Sequence, residues 1–327
     1  MPEPLFMLGG LPVTAYALGM AISLSLVAFL VAAGLKRAGY PPRVAEVFLL
    51  IALPLGLLLS RLAYVLIRFY FFLGWGEGLA FRFWQGGYSV WGAVLGFLLA
   101  VGLTARANRV KAAPLNDLLM PYALKMLALG RFCEGLAGLG FGQEVPSGLA
   151  FFPIAVGNEY GEWRFAVFML EGVAALLFAL LAYRYPKQVP GDASRLALIL
   201  FCAFQILFES LRKDEVLSWG FVKSSQVMGA AGLLILMVEG LFFRKKNSWR
   251  QPRHLALAGF ALLVLLIAGL EYAVDKTSIN INLIYALMTG CCLGLCALTL
   301  RASTLGKAKP SGSREATSEI AMKAEGP

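Results

Sequence analysis

One stretch in the middle of the chain combines charge with glycine in a run that is otherwise apolar. It extends from Lys125 to Gly142 and carries Arg131 and Glu134 three residues apart. A charged side chain at the centre of a membrane helix costs about 2.5–3.5 kcal/mol on insertion scales, so such groups normally face a polar cavity or a partner. Glycines let a helix end and let backbones approach closely. The pattern predicts a site for a charged headgroup; the alternative is an ion pair of Arg131 and Glu134 that only joins two helices.

Further polar side chains lie near the ends of other apolar segments, at a similar depth. They are Tyr16, Arg61, Glu209, Arg212 and Gln226. Arginine suits phosphate because its planar guanidinium donates two hydrogen bonds at once and keeps its charge. Together with Arg131, these residues predict a cavity that faces the outer leaflet and binds an anionic phospholipid. A structural alternative stays open, in which ion pairs such as Arg61–Glu134 or Arg131–Glu209 lock helices together.

The composition indicates a membrane protein. Hydrophobic residues make up 59% of the chain and charged residues only 15%, whereas a soluble domain has about 25% charged residues. Apolar runs long enough to span a bilayer recur, and the alternating pattern of a membrane β-barrel is absent. We therefore predict an all-α, polytopic integral membrane helical bundle with about nine transmembrane helices. The predicted spans are 11–35, 44–73, 88–105, 117–140, 165–183, 196–211, 227–243, 255–273 and 281–300, with a lead segment at 1–10 and a loop at 143–163. The Gly-x-x-x-Gly spacings of Gly92 with Gly96 and of Gly138 with Gly142 predict close helix packing.

The distribution of basic residues predicts an orientation. The segments after the first, third, fifth, seventh and ninth spans are rich in Lys and Arg, whereas the others are acidic, aromatic or mixed. The positive-inside rule then places the N-terminus outside and the C-terminus in the cytoplasm. The net charge of +10 does not indicate nucleic-acid binding, because the basic residues lie at helix ends rather than on one soluble face.

No cofactor or metal site is predicted. The five cysteines all fall inside apolar segments and lack metal-ligand spacing, and the single histidine, His254, lies in a basic segment. The first span lacks the features of a cleaved signal peptide, so we expect it to remain in the protein. Residues 302–327 are rich in Ser, Gly, Ala, Lys and Glu, which is typical of a disordered tail.

The order of these features resembles the prolipoprotein diacylglyceryl transferase family over about residues 10–243. The stretch from Gly130 to Gly142 resembles the family's signature G-R-x-G-N-F-x-N-G-E-x-x-G. Shorter matches come before the signature: Tyr16 matches W-Y-G, Arg61 and Tyr64 match A-R-x-x-Y, and Gly92 and Gly96 match S-x-H-G-G-x-x-G. Others follow it: Glu171 matches L-E-G, Glu209 and Arg212 match F-R-x-x-x-E-x-x-R, and Gln226 matches S-x-G-Q.

The resemblance implies an enzyme of lipoprotein biosynthesis in the bacterial inner (plasma) membrane. Family members transfer the diacylglyceryl group of phosphatidylglycerol to the lipobox cysteine in the signal peptide of a preprolipoprotein. Carried over to this chain, the family pattern makes Arg131 and Arg61 phosphate ligands and Glu134 a possible base. It also implies that Glu209, Arg212 and Gly142 line the lipid cavity, while Tyr16 and Gln226 bond the glycerol or the peptide. Residues 1–243 would form the family domain, 244–301 an additional two-helix segment and 302–327 a cytoplasmic tail.

Several family positions are replaced in this chain. Trp91 stands where the family has histidine, Glu134 where it has asparagine, Leu139 where it has glutamate, Gln205 where it has arginine and Phe201 where it has tyrosine. These replacements favour a second hypothesis, a catalytically inactive homologue that binds anionic lipid or a lipoprotein. A lipid transporter that uses the same cavity is a third. The sequence does not indicate an oligomeric state.

Overall fold

Ten helices make up most of the described chain. The computed structural model describes residues 4–9, 11–75, 81–82, 86–145, 147–157, 161–186, 189–213, 218–219, 222–243, 252–276 and 280–303. The helices are α1 (Ala15–Arg37), α2 (Pro42–Ile67), α3 (Phe69–Trp75), α4 (Val90–Ala107), α5 (Ala112–Leu136), α6 (Val167–Arg184), α7 (Asp192–Leu211), α8 (Ser224–Val238), α9 (Arg253–Lys276) and α10 (Ile281–Ser303). A π-helical turn, Glu239–Phe243, continues α8.

Eight of the described helices are long and apolar enough to cross a membrane. The ninth long helix, α5, has 25 residues and carries the charged stretch with which the sequence analysis began. At 1.5 Å per residue these helices match the roughly 30 Å hydrocarbon core of a bilayer. The chain is a multi-pass helical membrane protein, and the predicted fold class is confirmed.

The second predicted span differs from the structure. It was expected to run from 44 to 73 as one crossing, but α2 ends at Ile67 and α3 begins at Phe69. Arg68 lies between them, and its guanidinium packs over the rings of Tyr64 at 5.5 Å and Phe71 at 5.8 Å. The aromatic rings hold this cation between the end of α2 and the start of α3.

Short strands precede and connect the helices in the predicted lead segment and loops, and they also replace the first residues of the predicted spans 11–35 and 165–183. The strands are β1 (Pro4–Leu8), β2 (Leu11–Thr14), β3 (Phe141–Glu144), β4 (Ala155–Gly157), β5 (Trp163–Ala166), β6 (Ser218–Trp219) and β7 (Val222–Lys223). An antiparallel sheet with the order β3–β5–β4 joins α5 to α6. The predicted loop at 143–163 is therefore partly a sheet, which holds the ends of these two helices together.

Glycines bring α2 and α4 into backbone contact. A Cβ atom on Gly92 would lie 2.2 Å from the carbonyl oxygen of Leu59, and one on Gly96 would lie 2.8 Å from the Cα atom of Gly56. The spacing of Gly92 and Gly96 predicted helix packing, and the structure confirms it. The same prediction for Gly138 and Gly142 is wrong, because Gly138 follows the end of α5 with φ +69° and Gly142 belongs to β3.

The last two helices share the core of the bundle. Helix α10 packs against α7, α8 and α9. One buried apolar cluster combines Met288 and Cys292 of α10 with Phe260 of α9, Ile206 of α7 and Trp91 of α4. The division into segments at 243 and 301 stays a prediction, and residues 304–327 of the predicted tail lie outside the described residues.

The long helices alternate in direction along the chain, as the register of Gly92 and Gly96 on α4 against Leu59 and Gly56 on α2 shows, so the bundle has two distinct ends. We call the end where α5 and α7 finish and α6 and α8 begin the site end. Helices α1 and α4 finish at the opposite end, which we call the basic end, with Lys36, Arg37 and Arg106 in their last turns.

Candidate functional site

Four charged side chains form a ring of ion pairs at the site end. Nη1 of Arg131 donates to Oε1 of Glu134 at 2.5 Å, and Nη2 of Arg212 donates to Oε2 of Glu134 at 2.5 Å. On the other side, Nε of Arg131 contacts Oε2 of Glu171, and Nη1 of Arg212 lies 3.5 Å from the same oxygen. Two cations and two anions therefore alternate, and they come from α5, α6 and the end of α7. We call this group the Arg131–Arg212 ring.

The ring is buried. The side chains of Arg131 and Arg212 are each 10% exposed, that of Glu134 is 18% exposed and that of Glu171 is 3% exposed. Removing one partner of a buried ion pair costs about 3–5 kcal/mol, because it leaves an uncompensated charge. The alternation of charge makes the burial tolerable, and Glu134 is the member with most access to its surroundings.

The end of α5 is shaped to hold the ring. Gly138 and Gly140 both have positive φ, +69° and +80°, which turns the chain from α5 into β3 at no steric cost. A Cβ atom on Gly140 would lie 3.2 Å from Oε2 of Glu134 and 3.3 Å from Nη2 of Arg212. Glycine here leaves room for the ion pair.

Backbone contacts fix the position of Arg212. Arg212 is bridged to Gly142 in an antiparallel arrangement. Nζ of Lys223 donates to the carbonyl oxygens of Arg212 at 2.5 Å and Glu209 at 2.6 Å. A lysine at the end of α7 satisfies carbonyls that lack helical partners and complements the helix dipole.

Two further predicted residues lie beside the ring. Glu209 is 3% exposed and lies close enough to Glu171 for their charges to interact. Tyr16 is half-buried at the start of α1 and lies within electrostatic range of Glu134 and Arg131. With Gly142, which is bridged to Arg212, the structure brings together six of the residues that sequence reasoning selected.

Arg61 has its own set of contacts. Its guanidinium donates to the carbonyl oxygens of Gly86 and Gly87, the second at 3.1 Å. It also lies over the rings of Tyr64 and Phe72, 5.7 Å from each ring centre. Arg61 thus braces the connection that leads into α4.

Gln226 holds the start of α8. Its Oε1 accepts from the backbone N–H of Lys223 at 3.0 Å, and its Nε2 donates to Oε2 of Glu271 at 2.9 Å. Gln226 is 5% exposed. Both ends of its amide are engaged within the protein.

Three of the five replaced family positions, Trp91, Phe201 and Gln205, are buried, whereas Leu139 is 50% exposed. Trp91 is 9% exposed, and its ring centre lies 5.3 Å from that of Phe201. Gln205 lies with Arg131 and Glu171 around a void of about 10 Å³. Its Nε2 is buried and has no hydrogen-bond acceptor within the part of the chain that the structure describes.

A larger cavity adjoins the ring on the sheet side. Its volume is about 230 Å³, and its lining residues are Gly138, Phe141, Gly142, Val156, Gly157, Arg164 and Lys213. Arg164 and Lys213 are its charged members. A cavity lined by two cations and several glycine backbones suits an anionic group.

Glu171 is the member of the ring that the sequence-based site prediction left out. Its signal was present, since an ionisable residue early in an apolar span is functional by default. Only the packing of α6 against α5 and α7 shows that Glu171 faces two arginines.

Comparison with known proteins identifies relatives. The sequence model of the prolipoprotein diacylglyceryl transferase family matches residues 3–243. A Gloeobacter violaceus protein is 29% identical over 202 residues, which cover 59% of this chain and 74% of the relative. A Streptococcus pneumoniae serotype 4 protein is 27% identical over 250 residues, 73% of this chain and 93% of the relative. A Pediococcus pentosaceus protein is 26% identical over 266 residues, 76% of this chain and 93% of the relative.

Each of these three relatives is named phosphatidylglycerol–prolipoprotein diacylglyceryl transferase. The matched region contains α1 to α8 and all four residues of the Arg131–Arg212 ring. It covers well over half of the 327 residues. The chain belongs to the prolipoprotein diacylglyceryl transferase family.

Proposed function

We propose that this protein is a phosphatidylglycerol–prolipoprotein diacylglyceryl transferase of the bacterial inner membrane, with its site end toward the exterior. The Arg131–Arg212 ring is the observation that carries the proposal. Two buried guanidinium groups from different helices converge there, beside a cavity lined by further cations. Such an arrangement suits a phosphate that must be bound at the membrane and stabilised as it leaves.

The reaction requires one bond to form and one to break. The sulfur of the lipobox cysteine attacks the glyceryl carbon that is esterified to phosphate, and a carbon–sulfur bond forms. The carbon–oxygen bond breaks, and glycerol phosphate leaves with the electron pair. The thiol proton must pass to a base, while the leaving phosphate gains one negative charge.

The ring can meet both requirements. Arg131 and Arg212 each bond a carboxylate, so a phosphate oxygen can replace a carboxylate oxygen without leaving a guanidinium unpaired. Glu134 is the more exposed carboxylate, 18% against 3% for Glu171, and is the one placed to give way. If Glu134 accepts the thiol proton as the phosphate gains its charge, the net charge of the site stays constant.

Neighbouring residues complete the proposed site. Lys213 and Arg164 line a cavity next to Gly142 that can receive the departing glycerol phosphate. Arg164 also pairs with Glu162 at 3.1 Å, but both side chains are more than 40% exposed, so this pair is weak and can open. Tyr16 lies near Glu134, where its hydroxyl can bond the glycerol or the signal peptide. We assign the second phosphate contact to Arg212, and a phosphate-binding role for Arg61 stays a prediction, because carbonyl groups already occupy its guanidinium.

A non-catalytic lipid-binding homologue is the second candidate, and Trp91 favours it. Trp91 fills the family's histidine position and packs against Phe201 in the core. The chain's single histidine, His254, lies in the first turn of α9, about 25 Å along the helix from Glu271 at a rise of 1.5 Å per residue. Any transfer must therefore proceed without histidine.

The deciding experiment uses phosphatidylglycerol with labelled acyl chains. It measures how much labelled diacylglyceryl group the purified protein transfers to a synthetic lipobox peptide. A peptide with serine in place of the cysteine is the chemical control. Arg131→Ala and Arg212→Ala are compared with Arg195→Ala, which removes an arginine with a 13% exposed side chain that pairs with Glu239 at the basic end. We expect label on the cysteine peptide only, lost in the first two variants and retained in the third.

The opposite results distinguish the two candidates. If the protein transfers no label but binds phosphatidylglycerol, and Arg131→Ala abolishes that binding, the lipid-binding homologue replaces the enzyme as the conclusion. If the protein neither transfers the label nor binds the lipid, both candidate functions are excluded.

A further inference from the structure

Helices α9 and α10 lie beyond the matched residues 3–243, yet they reach the site end with polar side chains. Oε2 of Glu271, near the end of α9, accepts from Nε2 of Gln226 at 2.9 Å. The hydroxyl of Tyr285, near the start of α10, accepts from Nε2 of Gln143 at 3.2 Å. Both contacts join the last two helices to segments that follow or precede the ring residues.

A purely structural role does not explain why a carboxyl group is buried at Glu271. It is 4% exposed in a helix whose other residues from Leu255 to Ala273 are almost all apolar. A carboxyl group is among the most costly side chains to bury in a membrane, and it needs a polar partner there. A helix that served only to pack would be more stable with an apolar residue at this position.

Short contacts lead from Glu271 to the ring. Glu271 holds one end of the Gln226 amide, and the other end accepts from the backbone N–H of Lys223 at 3.0 Å. Nζ of Lys223 donates to the carbonyl oxygens of Glu209 and Arg212. The guanidinium of Arg212 donates to Glu134. Each link is a direct hydrogen bond, and the links from Gln226 onward belong to the matched region.

We propose that Glu271 is a positioning residue for the transfer reaction, acting through Gln226 and Lys223 on Arg212. The inference rests on the proposed function and adds the α9–α10 pair to its site. The carboxylate of Glu271 fixes which way the Gln226 amide points. The correctly turned amide presents its oxygen to Lys223, and this keeps the lysine in reach of the end of α7. Without that constraint, Arg212 loses the fixed backbone from which its side chain reaches the ring.

The test compares two substitutions of the same residue. Glu271→Leu removes the acceptor, whereas Glu271→Gln keeps an oxygen that can accept from Gln226. Nε2 of Gln226 also donates to the carbonyl oxygen of Ile206, but at 3.5 Å against 2.9 Å for Glu271. We expect Glu271→Leu to lower kcat about ten-fold with KM for phosphatidylglycerol little changed, the effect of removing the shorter of the two hydrogen bonds from a buried donor. Glu271→Gln should restore the rate to within about three-fold of the unmodified protein.

A double-substitution cycle separates positioning from general destabilisation. If Glu271 acts through Arg212, adding Glu271→Leu to Arg212→Lys will lower the rate little further. A structural role would make the two effects multiply. Thr299→Val is the matched control, because Thr299 is also fully buried in the α9–α10 pair but lies toward the other end of α10. It should leave kcat unchanged.

Thermal unfolding is measured for every variant, so that rates refer to folded protein. Should Glu271→Leu fail to fold, Gln226→Met breaks the same contact from the partner's side and is expected to give the same ten-fold loss. A folded Glu271→Leu protein with normal kcat overturns the inference while the proposed function stands. If the unmodified protein transfers nothing, the proposed function fails, and the positioning role that rests on it fails with it.

Discussion

At the scale of single residues, the Arg131–Arg212 ring explains how a membrane protein can bury two arginines whose guanidinium groups remain able to bind an anion. Each guanidinium meets carboxylate oxygens from more than one helix. The carboxylates differ in exposure, so they need not have the same role. Glu171 is sealed in the core and holds both arginines, whereas Glu134 lies closer to where a ligand would enter.

Arg131→Lys tests whether the shape of the guanidinium matters. Arg131 engages Glu134 and Glu171 with different nitrogens, and a lysine ammonium cannot reproduce that fork. We expect transfer to fall about 10²-fold in kcat/KM. Arg195→Lys, the equivalent change at the basic end, should leave transfer unaffected. Equal transfer by Arg131→Lys and the unmodified protein would mean that charge alone suffices.

Glu134→Gln tests the proposed base. The amide keeps the size of the side chain but cannot take the thiol proton, so turnover should fall about 10²-fold or more. The measurement is single-turnover transfer to the lipobox peptide at saturating lipid. Unchanged turnover in a folded variant would remove Glu134 from the mechanism and leave it as a partner of the two arginines.

At the scale of elements, the site depends on how closely helices approach and where they stop. Helix α5 ends at Leu136, and the glycines that follow turn the chain into β3. Helix α7 ends one residue before Arg212. Arg212 therefore leaves α7 in an extended conformation and is bridged to Gly142 of β3, which places its side chain against Glu134.

The contact between α2 and α4 gives a prediction about stability. Gly92→Ala places a Cβ atom 2.2 Å from a backbone oxygen of α2, and the backbone cannot give way as a flexible side chain could. We expect a loss of about 1–3 kcal/mol, the usual effect of overpacking, seen as a lower melting temperature in detergent. Gly102→Ala in the same helix meets nothing within 4 Å and should not lower it, since alanine favours helix. Equal melting temperatures for both variants would contradict the close approach.

At the scale of the whole molecule, the two ends of the bundle have different polar contacts. The ring and the Glu271 contacts lie at the site end. At the basic end, the carboxylate of Asp117 on α5 accepts from the backbone N–H groups of Gly191 at 2.6 Å and Ser194 at 2.8 Å, and Arg195 pairs with Glu239. Asp117 thereby caps the start of α7 from another helix, which fixes α5 and α7 at both ends.

The difference between the ends leads to a prediction about orientation. The basic end should face the cytoplasm, because short connections rich in Lys and Arg stay on the cytoplasmic side of the membrane. A fluorescent protein fused after Ser303 should be bright, and alkaline phosphatase at the same place should be inactive. The matched fusion after Lys276, which lacks α10, should show the reverse. Active phosphatase after Ser303 would place the site end on the cytoplasmic side and exclude the proposed exterior lipid site.

The sequence by itself determined the class of protein and the approximate site. Runs of apolar residues need no tertiary information, because the bilayer alone requires them, and they predicted the helical bundle. Arg131, Glu134 and Arg212 were recognisable because charge is rare in such runs. The spacing of Gly92 and Gly96 likewise predicted a helix contact.

Only the tertiary structure decided which charges meet. Arg131 and Glu134 are neighbours on one helix, but Arg212 lies 78 residues from Glu134 in the chain, and no local periodicity relates them. For the same reason the partner of Gln226 was not predictable, since Glu271 lies 45 residues away on a helix beyond the family match. The hydrophobicity pattern of each segment reflects the solvent around it, lipid or water, and can be read locally. The pairing of side chains from different segments depends on how the whole bundle packs.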